Sequence, residues 1–320
     1  MDREGTLQIV GGRCVLRFER RLVHPPEKVW RALTDPAHLT AWFPAEVTME
    51  PRVGGAVRWA FPGTDLELPD GIVTAYDPPR LLEYRMSTTE LPLAGAGDPR
   101  TLRFELHPEP GGCLLVFTNT FDDRPGAASF AAGWEGCLDA LERELGGSAP
   151  RWEGRPWVDA HEAYVDMFGL LEGTVRDARD GWTVLFERQL TRSVPDVWSA
   201  LTGGTALEVG GPAPLPATNG YVAAGAVTAV DPPALVEYEW QLDGVAAGRV
   251  RWELAGGPGG ARLVLSQTVP SWAKAQLALA LAAWHTHVEL LADHLRGVTR
   301  CPWPAERTEE LRRHYTGRVR

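Results

Sequence analysis

The sequence predicts an α+β protein built as two tandem copies of one fold. Each copy is a run of antiparallel strands covered by a long C-terminal helix, with two short helices after the first strand. Three observations carry this expectation. Asp77-Pro78-Pro79-Arg80-Leu81-Leu82-Glu83-Tyr84 returns as Asp231-Pro232-Pro233-Ala234-Leu235-Val236-Glu237-Tyr238, and Val29-Trp30-Arg31-Ala32-Leu33-Thr34 returns as Val197-Trp198-Ser199-Ala200-Leu201-Thr202. Each copy is a series of short alternating segments broken by Gly and Pro turns. Each then ends in an apolar stripe at helical period.

In the first copy, Arg13 to Val23 alternates and carries β-formers, so it reads as a strand. Pro25-Pro26 starts a helix, because proline is tolerated in a first turn, and Val29, Trp30 and Leu33 share one face of it. Asp35-Pro36 opens a second short helix through Trp42. Strands are expected near Val47, then at Val57–Phe61, Ile72–Tyr76, Leu82–Met86 and Leu102–Leu106, with a fixed turn at Asp77-Pro78-Pro79. Gly111-Gly112 turns the chain into a last strand, Leu114–Phe121. Phe130, Trp134, Leu138, Leu141 and Leu145 then line one face of the closing helix. A sheet with one apolar face needs a cover, and this helix is the element able to supply it.

The second copy repeats this plan with losses. Phe18-Glu19-Arg20 recurs 168 residues later as Phe186-Glu187-Arg188, whereas Asp77 and Asp231 are 154 apart, so 14 residues have gone in between. Phe104 and Trp252 are 148 apart, and Trp134 and Trp284 are 150 apart. Leu277, Leu281, Trp284, Val288, Leu291 and Leu295 form the second closing stripe. Pro156-Trp157 and Pro302-Trp303 each precede a short helical tail holding Tyr164 or Tyr315. The domains are therefore expected at 1–176 and 177–320, with the boundary near Arg176 to Gly181, and the two are expected to pack as a covalent pseudo-dimer.

Composition narrows the function. At a formal net charge of −10, the chain repels phosphate backbones unless it carries a basic patch. The arginines nearest to one (Arg307, Arg312, Arg313, Arg318 and Arg320) follow or interleave with Glu306, Glu309 and Glu310, the order of a surface helix. No nucleic-acid partner is expected. Cys14, Cys113, Cys137 and Cys301 form no C-x-x-C pair. The N-terminus lacks a signal-peptide core, and the apolar run Leu277 to Trp284 is too short to span a bilayer. A cytoplasmic protein without metal or cofactor is the expectation.

Ala32-Leu33-Thr34-Asp35-Pro36, followed by Leu39 and Trp42-Phe43-Pro44, resembles the entry motif of the Hsp90 ATPase activator homologue-like family, part of the START-like (SRPBCC, helix-grip) superfamily. Gly133-Trp134 with Leu138 and Leu141 resembles the family's closing helix. The match covers about Cys14 to Gly147. In copy two the Asp-Pro and Trp-Phe-Pro elements are replaced by Gly203-Gly204 and a Gly/Pro/Ala segment, Gly210 to Gly220. The resemblance implies a curved sheet wrapped around the long helix, with an apolar cavity between them. It also implies binding of a lipid, polyketide or other hydrophobic compound, or an activity of cyclase, hydrolase or lyase type. Despite the family's name, its bacterial members are not usually chaperone cofactors.

On this basis Trp42, Phe43, Trp59, Phe61, Tyr84, Phe104, Trp134 and Leu138 are candidate ligand-binding residues of the first copy. The same aromatics would equally serve a filled core. Alternation puts Tyr84 with Leu82 and Met86, so its hydroxyl could meet a ligand or a backbone group. Arg20 is a candidate for orienting the ligand. H-E-x-x-H, G-x-S-x-G and phosphate-loop patterns are absent from the sequence. His287 and Tyr84 are therefore the candidate acid–base groups for an enzyme, with His294 flanking the same stripe. A protein-interaction module is a third reading, with Trp152, Trp157 and Trp303 as surface candidates.

Overall fold

The computed structural model describes residues 4–60, 71–86, 99–148, 156–299 and 301–319. The chain forms two compact units, Met1–Phe168 and Gly169–Arg320. The boundary read near Arg176 to Gly181 crosses a hairpin of the second sheet instead, because Thr174–Ala178 pairs with Gly181–Leu190.

The first unit runs β1 (Thr6–Val10), β2 (Arg13–Leu22), α1 (Pro26–Thr34), α2 (Pro36–Trp42), β3 (Glu46–Met49), β4 (Ala56–Ala60), β5 (Gly71–Asp77), β6 (Leu81–Met86), β7 (Arg100–Glu109), β8 (Gly112–Phe121), α3 (Ala127–Leu145) and α4 (Trp157–Met167). The strands form one antiparallel sheet in the order β1-β2-β8-β7-β6-β5-β4-β3. Strand β1 was not expected; its five residues are almost wholly exposed and so give no alternating signal. Proline at the first positions starts both short helices, and the Asp35 carboxylate accepts the Ala37 N–H at 3.0 Å to cap α2.

Period-2 alternation places Leu16, Phe18, Leu82, Leu102, Phe104, Leu115 and Phe117 on the inner face, all fully or nearly fully buried. Trp134, Leu138, Leu141 and Leu145 of α3 are buried on the same core. Burying each such side chain is worth about 1.5–3 kcal/mol. The opposite face carries ion pairs, Arg103 with Glu83 at 3.1 Å and Glu105 at 2.9 Å.

The second unit runs β9 (Thr174–Ala178), β10 (Gly181–Leu190), α5 (Val194–Thr202), a 3-10 turn (Leu215–Ala217), β11 (Ala223–Asp231), β12 (Leu235–Leu242), β13 (Val245–Gly257), β14 (Gly260–Pro270), α6 (Leu277–Leu295) and α7 (Ala305–Thr316). Its sheet has six strands, β11-β12-β13-β14-β10-β9. The expected pair of short helices is reduced to α5 and the 3-10 turn. A shared bridge shows where the chain was shortened. Gly54 and Gly55 bond Val73 at 2.8 and 2.9 Å, and Gly210 and Gly211 bond Val227 at 2.8 Å in the same pattern. Gly54 and Gly210 are 156 apart, so most of the loss falls on the equivalents of α2 and β3, ahead of that bridge. In place of β4 the second copy has the 3-10 turn.

Both tails act alike. The Gly5 N–H donates to the Tyr164 hydroxyl at 2.9 Å, and the Gly173 N–H donates to the Tyr315 hydroxyl at 3.0 Å. A Cβ on either glycine would approach Phe18 at 2.5 Å or Phe186 at 2.3 Å, so only glycine admits the contact. Arg307, Arg312 and Arg313 lie on α7 as a surface helix, where Arg312 pairs with Glu309 at 2.7 Å and Arg307 with Glu289 at 2.7 Å. Among the described residues, no helix is long and apolar enough to cross a membrane.

Candidate functional site

Six of the expected residues come together on the inner face of the first unit. Ring centroids step from Trp42 to Phe43 at 5.7 Å, to Trp134 at 5.8 Å, to Phe104 at 6.2 Å, to Tyr84 at 6.2 Å and to Trp59 at 5.7 Å. Leu138 lies one helical turn beyond Trp134 and is buried. Phe61 and Trp152 lie outside the described residues. The Trp42 indole donates to the Ala32 carbonyl at 2.8 Å, so this ring is a strut between α1 and α2.

The register defines a polar layer within this apolar face. Tyr84 stands opposite Leu102, Leu102 opposite Asn119, and Asn119 opposite Leu16. Asn119 is fully buried, and neither its Oδ1 nor its Nδ2 meets a hydrogen-bond partner. The Tyr84 hydroxyl and the Trp134 indole N–H also meet no acceptor among the described residues. Buried polar groups are normally paired, so the open Asn119 amide needs a reason.

The second copy supplies a contrast. Its layer is Tyr238, Val250, Gln267 and Val184. The Trp284 indole donates to Gln267 Oε1 at 2.7 Å. The Tyr238 hydroxyl and the Trp252 indole donate to the Ala217 carbonyl at 2.7 and 3.1 Å. His287 Nε2 donates to the Pro216 carbonyl at 3.0 Å. The 3-10 turn thus seats two carbonyls where copy one leaves donors open, and Ala217 is fully buried there. Asn119 is one methylene shorter than Gln267, which accounts for its failure to reach the tryptophan.

His287 is thus tied by its Nε2 to the 3-10 turn, and its Nδ1 is buried and open. Burial outweighs the Pro216 hydrogen bond and pushes its pKa down to about 4. It is neutral, with Nε2 as the donor nitrogen. Because the folded state disfavours its proton, its stabilisation is full above pH 6.5 and lost as pH falls toward 4. NMR of histidine-labelled protein should show an Nε2–H tautomer titrating near 4, and a midpoint near 6.5 would contradict this environment. His294 is exposed and lines a surface depression with Arg192 and Asp196. In copy one the position of His287 is held by Cys137, whose thiol is pushed up to about 12 by burial.

Arg20 is also differently used than expected. It is buried but pairs with Glu142 at 3.2 Å and Asp139 at 3.7 Å on α3, so it secures the helix rather than facing a ligand. Trp157 packs on His161 and Trp303 on Tyr221 and His287, as tail contacts. Asn119 was missed in the sequence because a lone Asn inside a strand resembles any solvent-facing polar residue. The signal was its position, two residues after Phe117 and two before Phe121 on the buried phase. Among the described residues, no group of three or more His, Cys, Asp or Glu stands together as a metal site.

The model of the family described as Activator of Hsp90 ATPase homolog 1-like protein matches residues 23–146 and 176–296. No curated protein matches the chain. Among solved structures, it is similar to CalU16 from Micromonospora echinospora, at 20% identity over 52% of this chain and 98% of that one, with a TM-score of 0.40. It is similar to a conserved protein of unknown function from Enterococcus faecalis, at 24% identity over 52% and 92%, with a TM-score of 0.43. A protein from Mesorhizobium loti matches at 29% identity over 42% and 97%, with a TM-score of 0.37.

Proposed function

Since the chain belongs to the activator of Hsp90 ATPase homolog 1-like family, we propose that its first unit binds a small hydrophobic molecule between the sheet and α3, while the second unit is structural. The observation that carries this reading is the difference in polar pairing between the copies. Among the described residues, both ends of the Asn119 amide are open and Tyr84 and Trp134 meet no acceptor, whereas Tyr238 donates to Ala217 and Trp284 to Gln267 Oε1, with only the Gln267 Nε2 left open on that amide. Apolar burial against Phe104, Trp134 and Leu138 supplies affinity, and the open polar groups set orientation.

Binding fits better than acid–base catalysis. Burial raises the Tyr84 hydroxyl well above its usual range, with a smaller contribution from Cys137, and Cys137 is itself raised to about 12. Neither group exchanges a proton readily near neutral pH. Three buried cysteines and the exposed Cys301, all free, suit a reducing compartment such as the cytoplasm.

Native mass spectrometry of the purified chain tests the reading. A co-purified small molecule is expected, and Tyr84→Phe should lower its occupancy by up to about tenfold, the worth of one hydrogen bond. The variant's folding stability should barely change, since the hydroxyl bonds no described residue. A bare mass, with no apolar compound binding on titration, would reject the proposal.

A further inference from the structure

One inner-face side chain has no part in the cluster described above. Arg100 opens β7 and alternates with Leu102, Phe104 and Leu106, so it lies on the face covered by α3. Its guanidinium carbon sits 4.0 Å from the ring centroid of Phe130 on that helix. It is partly buried, and its Nε is buried without a partner. It makes no hydrogen bond or ion pair with any described residue. Burial lowers its pKa to about 10, only partly offset by Asp123, whose carboxylate already accepts the Gly126 N–H at 3.2 Å. A guanidinium remains charged there, with Asp123 acting on it at a distance and no described carboxylate bonded to it.

The register places this cation beside the open polar layer. Arg100 stands opposite Met86, one inward step along the strands from the layer of Tyr84, Leu102 and Asn119. Diagonal neighbours of this kind lie within reach of long side chains. The second copy has removed the cation. Gly248 occupies the equivalent place, opposite Trp240 as Arg100 is opposite Met86. A Cβ on Gly248 would meet the Thr268 carbonyl oxygen at 2.4 Å and Trp240 Nε1 at 2.7 Å. The Trp240 indole fills the space and donates to that carbonyl at 2.7 Å. The copy whose layer amide, Asn119, is open at both ends is the copy that keeps the cation, and in the other copy Trp240 fills that space.

We propose that Arg100 is the headgroup site for a carboxylate, so that the ligand of the first unit is a monoanionic organic acid with an apolar body. This rests on the proposed binding function of that unit. The guanidinium would hold the carboxylate bidentately, with the Asn119 amide and the Tyr84 hydroxyl as neutral donors to its oxygens. A dianion is disfavoured, because one guanidinium balances one charge and the neighbouring donors are neutral.

The test is calorimetric titration of the full chain with two acid/alcohol pairs, dodecanoate against dodecanol and 2-naphthoate against 2-naphthalenemethanol. The pairs separate an aliphatic from an aromatic body. In one pair the acid should bind at least tenfold tighter than the alcohol. Arg100→Met, of similar length and apolar, should bring the acid down to the alcohol's affinity and leave the alcohol unchanged, while Arg100→Lys should retain part of the preference. Equal binding of acid and alcohol by the unsubstituted chain, or full acid affinity in Arg100→Met, would overturn the headgroup assignment and leave the apolar site standing. Failure of all four compounds to bind would remove both proposals. Should Arg100→Met fail to fold by circular dichroism, the acid/alcohol ratio of the unsubstituted chain decides alone.

Discussion

Replacing Gln267 by leucine should destabilise the second unit by about 1–3 kcal/mol, whereas replacing Asn119 by leucine should stabilise the ligand-free first unit. The two side chains are equivalent by register, and both are fully buried. Gln267 accepts the Trp284 indole N–H, and Trp284 is itself fully buried. Its loss leaves that donor in an apolar core. Asn119 accepts and donates nothing, so leucine of similar size removes a desolvation cost and adds apolar contact. The measurement is denaturant unfolding, with hydrogen exchange assigning each change to its unit. The same Asn119→Leu variant should bind ligand more weakly, a trade of affinity for stability. Destabilisation by both substitutions would mean that Asn119 has an internal partner, and the open-site argument would fail.

Acid should loosen the C-terminal helix through Glu289. This carboxylate on α6 meets Arg307 of α7 at 2.7 Å and His285 at 3.3 Å, and His285 bonds the Tyr315 hydroxyl at 2.7 Å. Burial alone would raise its pKa, but the hydrogen bonds from His285 and Arg307 outweigh it and hold it at about 2. A depressed pKa means that the folded state favours the ionised form. Its stabilisation is therefore full above pH 4.5 and lost as pH falls toward 2. Full linkage would amount to about 3 kcal/mol, and partial solvent screening brings this to about 1–2 kcal/mol. Glu289→Gln should remove that share at pH 7 and flatten the pH dependence of second-unit stability between 4.5 and 2. An unchanged acid limb would show that α7 is held by packing of Leu311 and Tyr315 alone.

Much of the fold was legible because its signals are local. Prolines fix helix starts, alternation marks buried strands, and the stripe from Phe130 to Leu145 marks the closing helix. Strands β1 and β9 were not legible, since their exposed residues carry no pattern. The aromatic candidates were legible as residues that must be buried somewhere. Arg20 was misread because burial, visible as strand phase, does not reveal that Glu142 and Asp139 wait on α3. Arg100 was passed over because an arginine at a strand's start resembles a solvent-facing charge.

The sequence by itself determined that one fold occurs twice, and that the second copy lacks a segment near its counterpart's entry motif. Only the tertiary structure decided what that shortening does. Hydrogen bonds across the sheet and helix join residues far apart in the chain, such as Tyr238 with Ala217 and His287 with Pro216. Whether a buried polar group is paired or open depends on which distant atom arrives beside it, and one methylene between Asn119 and Gln267 is enough to change the outcome.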